Sequence, residues 1–156
     1  MFHSWIIPRR LAAGPTPLDL NDIQSLAGQG IRTIITLTEQ PLTRFDDITP
    51  AAMTRLNVHL THHGFADQSA PSIEQAQAIL GELHSALHMN MPVYLHCFGG
   101  SGRTGTILHV LLLSAGLPLP AARRLIKQRR PQCLRLTEEQ HTFVQTWTTN
   151  YLHNDL

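Results

Sequence analysis

Val93-Tyr94-Leu95-His96-Cys97-Phe98-Gly99-Gly100-Ser101-Gly102-Arg103-Thr104-Gly105 holds most of this chain's chemistry. Its apolar start is too short for a helix and reads as a buried strand that ends at His96-Cys97. A loop with three glycines follows, and Arg103-Thr104-Gly105 opens a strongly apolar helix reaching about Ser114. Five residues separate Cys97 from Arg103. That spacing lets a loop curl around one tetrahedral oxyanion, with backbone N–H groups inward and the guanidinium closing the ring. The backbone of Phe98, Gly99, Gly100, Ser101 and Gly102, with Arg103, would then bind phosphate. Amides, a helix N-terminus and Arg103 would all favour the thiolate of Cys97. One piece of chain thus supplies a nucleophile and an anion site.

Composition sets the frame. The 156 residues are enough for one real core and too few for two ordinary domains, so residues 1–156 are read as one domain. Hydrophobic residues make up 42%, which excludes a disordered chain, and no apolar run approaches a membrane span. A net charge of +1 excludes a chain-wide electrostatic nucleic-acid binder, and no stable nucleic-acid complex is expected. The two cysteines point to a reducing compartment without a disulfide framework. Residues 1–10 make no convincing secretory signal. A cytoplasmic monomer is the expectation, with a secreted effector lacking a cleavable signal left open.

Along the chain, strands alternate with helices. Trp5-Ile6-Ile7 and Leu11-Ala12-Ala13 read as short strands. Thr16-Pro17 reads as an N-cap and first helical residue, with Leu18, Ile23 and Leu26 on one apolar face. The run from Ile31 to Leu37 suits a strand covered on both faces, with Glu39 just past its end. Pro50 to Leu56 reads as a short helix and Asn57 to Leu60 as a strand. Ser72 caps the next helix, with Gln75 completing a capping box and Ile73, Ala76, Leu80, Leu83 and Leu87 as its stripe. Ala121 to Arg130 is a basic helix stopped by Pro131. Thr137 and Gln140 form another capping box, before a last helix whose core face is Phe143, Val144, Trp147 and Tyr151. The expected fold is α/β, a mainly parallel sheet of four to five strands with helices on both faces. Ligands sit at the carboxyl ends of such strands, where Glu39, the Asp67 segment and His96-Cys97 all fall.

His96, Cys97, Arg103, Thr104 and Gly105 resemble the phosphate loop of the cysteine-dependent phosphatases. A Walker loop wants Gly-Lys where this chain has Gly102-Arg103, and rhodanese-like sulfur transfer leaves the Arg-Thr-Gly ending unexplained. The likeness extends through Ser4-Trp5-Ile6-Ile7-Pro8, Thr36-Leu37-Thr38-Glu39, Arg130-Pro131 and Glu139-Gln140. Together these are similar to a small atypical dual-specificity protein phosphatase. That resemblance implies the cysteine-phosphatase fold and a metal-independent phosphomonoester hydrolysis through a phosphocysteine, with no cofactor.

It also assigns roles. Cys97 attacks phosphorus, Arg103 and the loop amides hold the equatorial oxygens, and Thr104 stabilises the leaving thiolate. Asp67, on a loop framed by Gly64 and Pro71 that the sequence suggests is mobile, is the general acid, with Asp46 or Asp47 as fallback. Gln140 helps place the hydrolytic water, and His96 supports the loop. Glu39 has two readings, a partner holding Arg103 in plane or a surface carboxylate. Phosphorylated proteins are the expected substrates and partners, with a shallow pocket open to phosphotyrosine and phosphoserine or phosphothreonine. Phosphoinositides stay open although the loop carries no Lys, and so does an RNA 5′-phosphate.

Arg123, Arg124, Lys127, Arg129 and Arg130 form a basic cluster, read first as a solvated helix face. His84 and His88 stand i,i+4 on a helix but lack a third ligand such as the Glu of a zincin motif, and His59, His62 and His63 lie close together; no metal is expected. Cys133 reads as an ordinary loop cysteine or as a partner for an oxidised Cys97. A non-catalytic phosphate-binding module is the other class, and such modules usually lack the cysteine, the arginine or the acid.

Overall fold

Val93, Tyr94, Leu95 and His96 are all buried, because the strand they form has neighbours on both sides and helices on both faces. This computed structural model describes residues 2–151. In chain order the strands are Ser4–Ile7 (β1), Leu11–Gly14 (β2), Thr33–Thr36 (β3), His59–His62 (β4) and Val93–His96 (β5). The helices are Leu20–Gly28 (α1), Pro50–Leu56 (α2), Ile73–His88 (α3), Gly102–Ser114 (α4), Leu119–Arg129 (α5) and Glu138–Tyr151 (α6). The sheet order is β1-β2-β5-β3-β4, parallel except for the antiparallel edge strand β1.

Side chains alternate across the sheet, and the two cores follow that alternation. Leu11, Ala13, Ile35, Val93 and Leu95 face one core with α3, α4, α5 and α6, where Leu83, Ile107, Leu111, Ile126, Val144 and Trp147 pack. Ala12, Ile34 and Tyr94 face the other, with Ile23 and Leu26 of α1 and Ala52 and Met53 of α2. From Arg103 to Leu113 every residue of α4 is buried, which explains why its apolar pattern runs all round the helix. The register aligns Gly14, His96, Thr36 and His62 in one row. These four residues end β2, β5, β3 and β4, so the loops carrying the candidate site leave from one edge. No helix of the described residues is long and apolar enough to cross a membrane.

Several local expectations change. The helix expected from Thr16-Pro17 starts at Leu20, because Asp19 is the better cap and its carboxylate accepts from Asp22 N at 2.9 Å. Leu18 is therefore 59% exposed rather than part of the apolar face. Asn57 adopts a left-handed conformation that ends α2, so β4 begins only at His59. Ser72 does cap α3, but the Gln75 side chain donates to Gly64 O at 2.9 Å and does not close a capping box. The buried stripe of α3 is Ala76, Ile79, Leu80, Leu83 and Ala86, with Ile73 and Leu87 at its margin. Helix α5 begins at Leu119, since Pro120 is tolerated in a first turn, and it ends before Arg130. The capping box of Thr137 and Gln140 forms with both of its bonds. Tyr151, expected on the core face of α6, has its side chain outside the described residues.

Candidate active site

Phe98 to Gly102 curl away from the end of β5, and their carbonyls explain the curl. The Cys97 carbonyl accepts from Thr16 Oγ1 at 2.6 Å and from His96 Nδ1 at 2.9 Å. The Phe98 carbonyl accepts from Thr16 N at 3.0 Å. The Gly99 and Gly100 carbonyls accept from Arg130, and Gly100 O also from the Cys133 thiol at 3.3 Å. Thr16, expected to cap a helix, thus serves as a wall of this loop. Carbonyl and N–H of a trans peptide point in opposite directions, so the next four amides face the other side. Among the described residues, none of the Phe98, Gly99, Gly100 and Ser101 N–H groups donates to a protein acceptor. Gly100 has φ +71° and lies against the Gly14 backbone, where a Cβ finds no room. The N-cap of α4, Ser101, makes no side-chain bond, so the helix N-terminus also opens toward the loop. Unpaired amides converging at a helix N-terminus form an anion cradle.

Cys97, 4% exposed, lies at the base of this loop, and its Sγ accepts from Thr104 Oγ1 at 3.1 Å. Arg103 is 3% exposed and held from one edge. Its Nη1 donates to the Glu39 carboxylate and, at 3.0 Å, to Phe65 O. Glu39 thus touches Arg103 while its side chain stays 56% exposed. Hydrogen bonding from its own backbone amide, and then from Arg103, holds the Glu39 carboxyl below the usual carboxylate range. Arg103 Nε is buried and has no partner in the protein. The guanidinium thus keeps Nε unpaired beside an Nη2 that Asp67 approaches, an edge that suits two oxygens of one oxyanion.

Asp67 is 68% exposed, with Oδ1 3.5 Å from Arg103 Nη2. Its loop, expected to be mobile, makes hydrogen bonds to α3 and to the start of α6. Thr137 Oγ1 donates to Gln68 O at 2.8 Å, Gln140 Nε2 to Ser69 O at 3.0 Å, and Gln75 to Gly64 O. Gly64 packs against Thr38 O and the His62 ring so closely that a Cβ would collide. Of the fallback acids, Asp47 accepts from Leu20 N at 2.9 Å, at the start of α1. A cleft of about 270 Å³ is lined by Thr38, Glu39, Gln40, Arg44, Asp67, Phe98 and Arg103. Neither Asp46 nor Asp47 lines it.

His96 and Gln140 are fully buried, whereas Glu39 is exposed. His96 donates from Nδ1 to the Cys97 carbonyl, so its Nε2 accepts from the Thr36 hydroxyl at 2.8 Å. Burial pushes its pKa down to about 4, and the ring stays neutral. Gln140 lies against Gly102 and spends its amide on Ser69 O and Thr137 N. Burial pushes the Cys133 thiol up to about 12, which keeps it protonated. Among the histidines, His62 meets Thr38 O and His63 meets Glu82 at 2.9 Å. The sequence reading missed Thr16 and the role of Arg130. The signal for Arg130 was its place directly before Pro131, outside the helix that holds its basic neighbours.

A family model described as "PTP-SAK: Swiss Army Knife protein, DSP-PTPase phosphatase domain" matches residues 1–147. An uncharacterized protein of Methanocaldococcus jannaschii, MJ0215, is 32% identical over 78 residues. That match covers 50% of this chain and 48% of the relative, so the chain aligns with about half of that protein's length. Among solved structures, the active form of Tk-PTP superposes with a TM-score of 0.79 at 24% identity, over 95% of this chain and 97% of that one. PTPMT1 in complex with PI(5)P gives 0.85 at 18% identity over 100% of both chains. Kinase-associated phosphatase with serine at its catalytic cysteine gives 0.78 at 19%, over 100% and 98%. At these identities the likeness is one of fold.

Proposed function

Because this chain belongs to the Swiss Army Knife DSP-PTPase phosphatase-domain family, we propose that it hydrolyses phosphomonoesters without a metal, acting on phosphotyrosine and phosphoserine or phosphothreonine in proteins. The observation that carries this reading is the ring of four unpaired loop amides around Cys97, closed by the Nε edge of Arg103. A phosphoryl group seated there has its equatorial oxygens on donors fixed before the reaction, where transition-state charge spreads.

In the first step a lone pair of the Cys97 thiolate forms an S–P bond as the bond from phosphorus to the ester oxygen breaks. The Asp67 carboxyl delivers its proton to that departing oxygen. In the second step water attacks phosphorus, Asp67 takes its proton, and the S–P bond breaks to return the thiolate. Thr104, 3.1 Å from Sγ, donates to the thiolate as it leaves. Glu39 keeps the guanidinium in plane. Gln140 steadies the Asp67 loop through Ser69 and leaves one amide hydrogen for the attacking water. The open cleft, with Phe98 69% exposed at its rim, suits both aryl and alkyl phosphates.

Turnover of an aryl phosphate with a chelator present, followed by a panel of phosphopeptides, phosphoinositides and 5′-phosphorylated RNA, tests the reading. Cys97→Ser should abolish turnover while phosphate-ester binding survives. Arg103→Lys should fail too, because an ammonium lacks the planar pair of donors. Substantial turnover by Cys97→Ser would refute the covalent route. A preference for lipid or RNA over peptides would refute the protein substrate alone.

A further inference from the structure

Arg130 belongs by sequence to a basic cluster, yet it is 3% exposed while Arg124, Lys127 and Arg129 face solvent. Helix α5 ends just before it, and its backbone turns to φ −150° and ψ 81°, which directs the side chain under the phosphate loop. Among the described residues, no carboxylate lies within 4.0 Å of it. A guanidinium taken out of water without a counter-charge is costly unless its hydrogens are all well met. Its partners are Gly100 O at 2.8 Å from Nε, Gly99 O at 3.3 Å from Nη2, and Phe2 O at 3.2 Å and Ser4 Oγ at 3.1 Å from Nη1.

Two of these four acceptors are loop carbonyls, and both peptides run on into the cradle. Gripping the carbonyl side turns the N–H of Gly100 and of Ser101 toward the oxyanion position. A cation on the carbonyl side also polarises each peptide, which strengthens its N–H as a donor. The missing counter-charge then lies across the loop, as a thiolate or a bound phosphoryl group. A Cβ on Gly100 would stand 2.7 Å from Arg130 Nη2, so the loop is shaped to this side chain.

We propose that Arg130 is a positioning residue of the oxyanion site, aiming and polarising the Gly99 and Gly100 peptides so that the loop amides bind a phosphoryl dianion. This rests on the phosphatase reading above, and the test separates the two. Binding of inorganic phosphate to the intact chain is measured by calorimetry, which needs no turnover, beside kcat, KM and Tm for an aryl phosphate. The variants are Arg130→Gln, Arg130→Lys and Ser4→Ala. Arg130→Gln should weaken phosphate binding roughly 10-fold or more, as expected for losing a charged donor. It should also lower kcat/KM by at least as much. Arg130→Lys should recover part of both, since charge and one carbonyl contact remain. Ser4→Ala removes one acceptor of Arg130 on the side away from the loop, and should weaken phosphate binding less than Arg130→Gln does.

An Arg130→Gln protein with lowered Tm that binds phosphate within about twofold of wild type overturns the proposal. If that variant does not fold, Arg130→Lys decides well below its Tm: unchanged affinity and kcat overturn it, and a joint loss supports it. A wild-type chain that binds phosphate but turns over no ester refutes the phosphatase reading and leaves this inference standing. One that binds no phosphate refutes both.

Discussion

Lowering the pH from about 7.5 to 4.5 should cost this protein roughly 2–3 kcal/mol through one buried imidazole. His96 is neutral and saturated, donating to the Cys97 carbonyl and accepting from Thr36. Burial drives its pKa from 6.5 to about 4, with Arg103 and His62 pushing the same way against the Cys97 carbonyl bond. Below 6.5 the unfolded chain binds a proton that the folded chain refuses until about 4. His96 thus contributes its full stability above pH 6.5, and that contribution fades as pH falls toward 4. At roughly 1.4 kcal/mol per pH unit, this interval bounds the loss at about 3.5 kcal/mol. Against a typical total of roughly 5–15 kcal/mol, that is a large fraction. Urea unfolding at three pH values should be run on wild type and on His96→Asn, whose amide can still donate toward Cys97 O but does not titrate. Groups common to both cancel in the difference, so the wild-type advantage should shrink by about 2–3 kcal/mol on acidification. Stability curves that stay parallel across this range would refute the buried neutral ring.

Asp67→Asn should cost roughly 10²–10⁴ in rate on a phosphotyrosine or phosphoserine peptide, and much less on an aryl phosphate whose phenolate leaves unprotonated. Equal slowing of both substrates would make Asp67 structural and return attention to Asp46 and Asp47. Thr104→Ala should slow phosphocysteine breakdown roughly 10- to 100-fold, the worth of one bond to a charged sulfur. Rapid-quench assays should then show a burst of alcohol product, and no burst would assign Thr104 to packing. Gly100→Ala should lower Tm sharply and abolish phosphate binding, because the positive φ and the Gly14 backbone leave no room for a Cβ. A variant with near-native Tm and binding would refute the loop geometry. Peroxide should abolish the proposed activity by carrying Cys97 to sulfenic acid, with thiol restoring it and phosphate protecting it. Loss of activity that thiol cannot reverse would place the damage elsewhere.

The parts of the site that could be read from sequence are those whose chemistry is local. Cys97, Arg103 and Thr104 sit within eight residues, and a strand before them and an apolar helix after them determine where they stand. β3 was legible through its β-branched run and β5 through its short apolar one, and the shared carboxyl edge followed from the strands being parallel. Asp67 and Glu39 were legible only as positions past strand ends, since their meeting at Arg103 depends on how two loops fold back. Thr16 was misread because a Ser or Thr before Pro looks like a cap, and nothing nearby shows that Asp19 competes better. Arg130 was hidden by its neighbours, since four other basic residues made a solvated face the natural reading. What separates it from them is one backbone turn after the helix, and the sequence marks that turn only through Pro131. The mobile Asp67 loop was inferred from Gly64 and Pro71, but that Gly64 admits a close approach and Pro71 is buried.

The outward carbonyls of the phosphate loop limit how far the motif can travel. Thr16 reaches Cys97 O across 81 residues, while Arg130 and Cys133 reach Gly100 O across 30 and 33. The thirteen residues from Val93 to Gly105 are therefore not a portable cartridge. Grafted onto another parallel sheet with the same strand and helix, they would bring the thiol and the guanidinium but leave the peptides free to rotate. A search for new members of this chemistry by motif alone would accept such sequences. One that also asks for a hydroxyl past the second strand and an arginine just before a proline after the fifth helix would ask for the scaffold that holds the loop open.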